Sequence, residues 1–142
     1  MSFKFTKNDI KRISKTLGVK PVEDKDKYRF VLTDKDGIRK LSLEIFNQIP
    51  IGSSTGNLIS VYTENTHLQL HFCHGFVVSD MLGEVTFVSE NGDILSGLTI
   101  EKQGACSLYA NVEKKILSGD FTKLGPEVML SGIALSLTEH IL

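Results

Sequence analysis

At 142 residues, 41% hydrophobic and 23% charged, with no tryptophan, the chain has the size and composition of one globular domain spanning residues 1–142. Such a chain can bury about two-thirds of its unfolded surface without a disulfide or metal staple, which excludes disorder as the main state. Net charge is only −1, but residues 1–40 hold 12 Lys and Arg against 6 Asp and Glu while the rest hold 4 against 11, a split of +6 and −7.

This asymmetry gives no strong case for nucleic acid. The basic residues are interleaved with acids, and neither an RNA-binding nor a helix-turn-helix signature accompanies them. No apolar stretch approaches the roughly 20 residues of a membrane span, and the N-terminus lacks the apolar core of a signal peptide. A cytoplasmic protein is the expectation. Cys73 and Cys106, outside any C-x-x-C pair, read as free buried thiols.

Along the chain, Ile10, Ile13 and Leu17 fall at helical spacing between Thr6, an N-cap residue, and Gly18, a terminator, which predicts a short amphipathic helix over residues 7–17. Its outer face would carry Lys7, Lys11, Arg12 and Lys15, a solvated surface or at most a weak nucleic-acid contact.

From about residue 27 the period becomes two. Residues 28–33 and 38–46 flank Asp36-Gly37, residues 85–90 and 93–100 flank Asn91-Gly92, and Gln103-Gly104 precedes residues 105–112. Asn-Gly and Asp-Gly favour the positive φ of hairpin turns, so these are antiparallel hairpins. Leu41, Leu43 and Ile45 would share a buried face and Lys40, Ser42 and Glu44 a wet one.

Gly125-Pro126-Glu127 reads as a helix start, and Met129, Leu130, Ile133, Ala134, Leu137 and Ile141 form an apolar stripe that would pack on the sheet. Val128, Leu135 and Leu142 recur every seven residues on another face, the candidate subunit interface of a homodimer. The expected fold is therefore α+β: an antiparallel, hairpin-connected sheet of about seven strands, covered by an N-terminal helix and a longer C-terminal one.

Three segments bear on chemistry. Gly52-Ser53-Ser54-Thr55-Gly56 matches the G-x-S-x-G of hydrolases, but the β-branched, alternating residues 57–63 follow it where a nucleophile elbow needs a helix. A phosphate loop would need a lysine, and residues 41–101 have none. The segment reads as a turn.

Residues 67–74, His-Leu-Gln-Leu-His-Phe-Cys-His, hold the densest donor set. As a strand they place His67, Gln69, His71 and Cys73 on one face. His67 and His71 would then lie about 13 Å apart, too far to share a metal, whereas His71 and Cys73 could chelate one with a third ligand from His67, His74 or His140. As a helix, with Thr66 and Gln69 as a capping box, His67, His71 and His74 would line one face; the strand-like run before them favours a strand. A divalent metal would be the cofactor of that arrangement.

Beyond it, Phe72, Phe76 and Met81 suggest a small apolar pocket, while Glu64, Asp80, Glu84 and Glu90, at or near loops, read as solvated. No catalytic constellation has both residues and context. The leading expectation is a non-catalytic homodimeric module that binds a small molecule or partner protein, and its rival is a metal-dependent enzyme or sensor built on residues 67–74.

Overall fold

A computed structural model describes residues 3–25, 27–91 and 94–113. The predicted helix is α1, Lys7–Leu17. Thr6 caps it by accepting the Asp9 N–H (3.1 Å), the Asp9 carboxylate returns the bond to the Thr6 N–H (2.9 Å), and Gly18 ends it at φ 72°. Each cap removes an orphan backbone group, so the boundaries follow from local chemistry.

Nine strands follow among the described residues. The first sheet is a meander of β1 (Val22–Asp24), β2 (Lys27–Thr33), β3 (Lys40–Ile51), β4 (Ser54–Tyr62) and β5 (His67–His71), and the second a meander of β6 (Gly75–Ser79), β7 (Glu84–Asn91), β8 (Ile94–Glu101) and β9 (Cys106–Glu113). Every pairing is antiparallel.

The inward faces meet in one core. Phe30, Leu32, Leu41, Leu43, Ile45, Ile59, Val61 and Leu70 come from the first sheet, and Val85, Phe87, Leu98 and Ile100 from the second. Helix α1 adds Ile10, Ile13 and Leu17 and rests on β6 and β7, while β5 lies against β7 and β8. Burying each of these side chains stabilises the fold by about 1.5–3 kcal/mol relative to leaving it in water.

The α+β class expected from the sequence is corrected by this arrangement. The described chain is mostly antiparallel β, with one helix and two sheets of five and four strands in place of a single sheet of about seven. Residues 125–142, which carry that expected helix, lie outside the described residues.

The division into two sheets has a physical origin at one residue. Phe72 adopts φ 58° immediately after β5, a left-handed conformation that no strand continues through. The backbone turns there, and His74 N–H bonds to Val88 O in the second sheet (2.9 Å).

Between β3 and β4 the register Ile51↔Ser54 leaves Gly52-Ser53 as a two-residue turn with Gly52 at φ 62°. The G-x-S-x-G match is therefore a hairpin turn, with Ser54 exposed on the next strand. Gly56 has another reason to be glycine: a Cβ there would lie 2.6 Å from Phe72 Cδ1.

Candidate functional site

The strand reading of the histidine segment holds as far as His71. Along β5, His67, Gln69 and His71 are exposed on the outer face, opposite Tyr62, Ser60 and Leu58 of β4. The His67 ring stacks on Tyr62 (4.2 Å between centroids, 15° between planes), and its Nε2 shares a 2.9 Å hydrogen bond with Ser60 Oγ. His71 Nε2 meets Gln69 Oε1 at 3.1 Å, and His74 Nε2 lies 3.5 Å from Glu90 Oε2.

Cys73 does not follow the alternation. The turn at Phe72 carries it into the core, 2% exposed, where its thiol donates to Gly75 O at 3.2 Å and burial raises its pKa to about 11. His71 and Cys73 thus lie on opposite sides of the chain, and among the described residues no three His, Cys, Asp or Glu side chains are grouped to hold a metal. His140 lies outside the described residues. Ser60, for its part, is fully buried, which keeps a substrate from its hydroxyl despite the histidine beside it.

The three residues expected to form an apolar pocket are separated. Phe76 belongs to an aromatic cluster with Phe3, Phe5 and Phe87, under the Arg12 guanidinium at 5.3 Å. Phe72 leans on Gly56, and Met81 is 94% exposed in the β6–β7 loop. Of the basic helix face, Arg12 is engaged by Phe76, whereas Lys7, Lys11 and Lys15 are exposed.

A cleft lies instead at the end of the molecule where three hairpin loops meet. It has a volume of about 620 Å³ and is lined from β2–β3 (Asp34, Arg39, Lys40, Leu41), β4–β5 (Thr63 to Thr66, Leu68) and β8–β9 (Glu101, Gln103 to Cys106). Its apolar lining continues the core: Leu41 is paired with Leu32, Leu68 with Val61, and Cys106 with Ile100, all on inward faces. Burial pushes the Cys106 thiol up to about 11, so at neutral pH it is an apolar wall and not a nucleophile.

The loops at the rim are closed by their own groups. Asp34 Oδ1 accepts the Ile38 and Arg39 N–H groups (2.9 and 3.3 Å), Thr66 N–H donates to Thr63 Oγ1 (3.0 Å), and Gly104 N–H donates to Glu101 O (2.9 Å). These bonds preorganise the rim, and preorganisation lowers the ordering cost of binding. Sequence reasoning missed the cleft. Leu41 was visible as an inward residue, but which hairpin ends converge depends on how two sheets stack, and that is not a local pattern.

Glu84 departs from the solvated reading. It is 2% exposed on the face of the second sheet opposite the core, beside its cross-strand partner Glu101, and among the described residues its Oε1 has no hydrogen-bond partner. Burial, then the Glu101 charge, raises its pKa above the usual carboxylate value. A raised folded pKa means that the stabilising form is the protonated one: its contribution is complete below the unfolded value and is lost as pH rises through the folded one. Glu84→Gln, which removes the charge that burial and Glu101 disfavour, is therefore expected to be more stable than the parent at pH 7, by about 1 kcal/mol, the usual scale of a single substitution. The gap should close as pH falls to 4; urea midpoints measured at both values check it, and a less stable variant at pH 7 would contradict it.

Among the described residues no helix is long and apolar enough to cross a membrane. Compared with protein-family models, curated proteins and solved structures, the chain finds no match.

Proposed function

We propose that this protein is a non-catalytic binding module that takes a small amphipathic molecule in the cleft between the three hairpin ends. The observation that carries this reading is the composition of the cleft: an apolar wall of Leu41, Leu68 and Cys106 under a rim of charged and amide side chains. Sites for small molecules have this construction, concave and mostly apolar with a few convergent polar groups, and about 620 Å³ falls within their usual range of roughly 300–1,000 Å³.

Residence in the cytoplasm and pairing of two chains belong to the same proposal. The second rests on the seven-residue spacing of Val128, Leu135 and Leu142, which lie outside the described residues.

Native mass spectrometry with decanol, decanoate and decyltrimethylammonium as probes tests the proposal. One adduct per chain is expected for at least one probe, lost in Leu68→Asp, on an ion of twice the chain mass. Absence of any adduct, or an adduct that Leu68→Asp retains, removes the cleft as the site; a single-chain ion removes the pairing alone.

A further inference from the structure

Resting on that reading, we infer that the cleft selects an apolar molecule with an anionic head, a carboxylate, and that Arg39 is the residue that seats it. Among the described residues five charged ones line the opening: Asp34, Arg39, Lys40, Glu64 and Glu101. Their positions in the ladders sort them.

Glu101 pairs with Glu84 across β7 and β8, so its side chain belongs to the face away from the core, while the adjacent Ile100 is fully buried. Lys40 pairs with Thr33 and shares the outer face of β3 with Ser42 and Glu44, opposite the buried Leu41. Glu64 is exposed at the tip of the 63–66 loop.

Asp34 and Arg39 remain. The bond from Asp34 N–H to Arg39 O (3.2 Å) continues the β2–β3 ladder one pair beyond Thr33↔Lys40. Alternation then puts both residues on the side of Leu32 and Leu41, facing the apolar wall. Asp34 Oδ1 is already occupied by the two N–H groups of its own loop, and the two side chains form no ion pair within 4 Å. Among the described residues the Arg39 guanidinium has no partner, so it is the cation on the cleft side with its hydrogen bonds still to make.

A guanidinium offers a planar fork of donors that a carboxylate accepts in two parallel bonds, each stronger for being charge-assisted. With the head on Arg39 at the rim, an alkyl body would run along Leu41, Leu68 and Cys106 into apolar contact, and its burial supplies the rest of the affinity. A cationic head would meet the same arginine and be repelled.

Titrations followed by amide ¹H–¹⁵N spectra, with decanoate, decanol and decyltrimethylammonium on the wild type and on Arg39→Gln, test this assignment. Decanoate is expected to bind about tenfold more tightly than decanol, the worth of one charge-assisted hydrogen bond, and decyltrimethylammonium more weakly than either. Arg39→Gln should bring decanoate to the affinity of decanol and leave decanol unchanged, while Arg39→Lys should retain part of the preference. Equal binding of decanoate and decanol by the wild type, a preference for the cation, or a decanoate preference that survives in Arg39→Gln would overturn the inference and leave the cleft as a site. If none of the three probes shifts the amides of Leu41, Leu68 and Cys106, the binding reading itself fails and the inference falls with it.

Discussion

Replacing Phe87 with alanine is expected to lower the free energy of unfolding by about 3–5 kcal/mol, the usual cost of deleting a fully buried aromatic side chain. Phe87 is 0% exposed on the inward face of β7, where its cross-strand partners are Phe76 of β6 and Leu98 of β8. Its ring is 6.0 Å from Phe5 and 6.5 Å from Phe76, and the Phe5 ring stacks on Phe76 at 5.7 Å. One residue thus supports the second sheet and the segment that leads into α1. A domain of this size is stable by about 5–15 kcal/mol, so the variant should be folded only marginally at 25 °C.

The measurement is a urea unfolding curve, read as a fall in midpoint at unchanged slope. Phe87→Leu retains most of the volume and should lose less than about half as much, because the residual cavity is smaller. A cost below 1 kcal/mol for the alanine variant would mean that the aromatic cluster is not part of the core.

How much of this was legible beforehand varies with how local the cause is. Helix α1 was, because Thr6, Asp9, Gly18 and the spacing of Ile10, Ile13 and Leu17 are all contained in thirteen residues. The turn at Gly52 was too, since a strand pattern follows where a helix would have made Ser54 a nucleophile. The left-handed conformation of Phe72 was not: a bulky residue rarely adopts it, and nothing in residues 67–74 marks the position. That single backbone state moved Cys73 from the histidine face into the core and separated β5 from β6, so the error in the donor set and the error in the sheet count share one origin. The cleft was illegible for a different reason. Its residues lie at three hairpin ends separated by more than twenty residues each, and only the stacking of the sheets brings them to one end of the molecule.

At the opposite end, the expected result of Asn57→Ala is a loss of about 2–4 kcal/mol, large for a polar residue. Asn57 is 2% exposed in β4 and uses its whole amide. Nδ2 donates to Phe3 O (2.7 Å) and Cys73 O (2.9 Å), while Oδ1 accepts from Gln48 N–H (3.0 Å) and Gln48 Nε2 (3.1 Å). Gln48 sits at φ 48° in the irregular stretch of β3 between Phe46 and Ile49, and the Asn57 acceptor is what satisfies its N–H there. Asn47 beside it clasps Phe5 by both backbone groups, at 2.9 Å each.

Alanine at position 57 would leave two backbone groups, Gln48 N–H and Cys73 O, without partners around a buried site, each costing about 1–3 kcal/mol unless water reaches it, while Phe3 O keeps the Gln48 Nε2 donor (3.0 Å). The sum is bounded by that water, hence the lower figure. Hydrogen exchange distinguishes this mechanism from simple loss of packing: protection should fall first at Gln48 and Phe5, before the β7 and β8 amides, because the N-terminal segment and the β3 irregularity lose their common anchor. Asn57→Asp retains the acceptor for Gln48 but removes both donations and faces two carbonyl oxygens with a charge, so it should be at least as destabilising as alanine at pH 7 and partly recover when acid protonates it. If instead Asn57→Asp matches the parent in urea, the two donated bonds contribute nothing, and the N-terminal segment must be held by Asn47, Gln48 and the aromatic cluster.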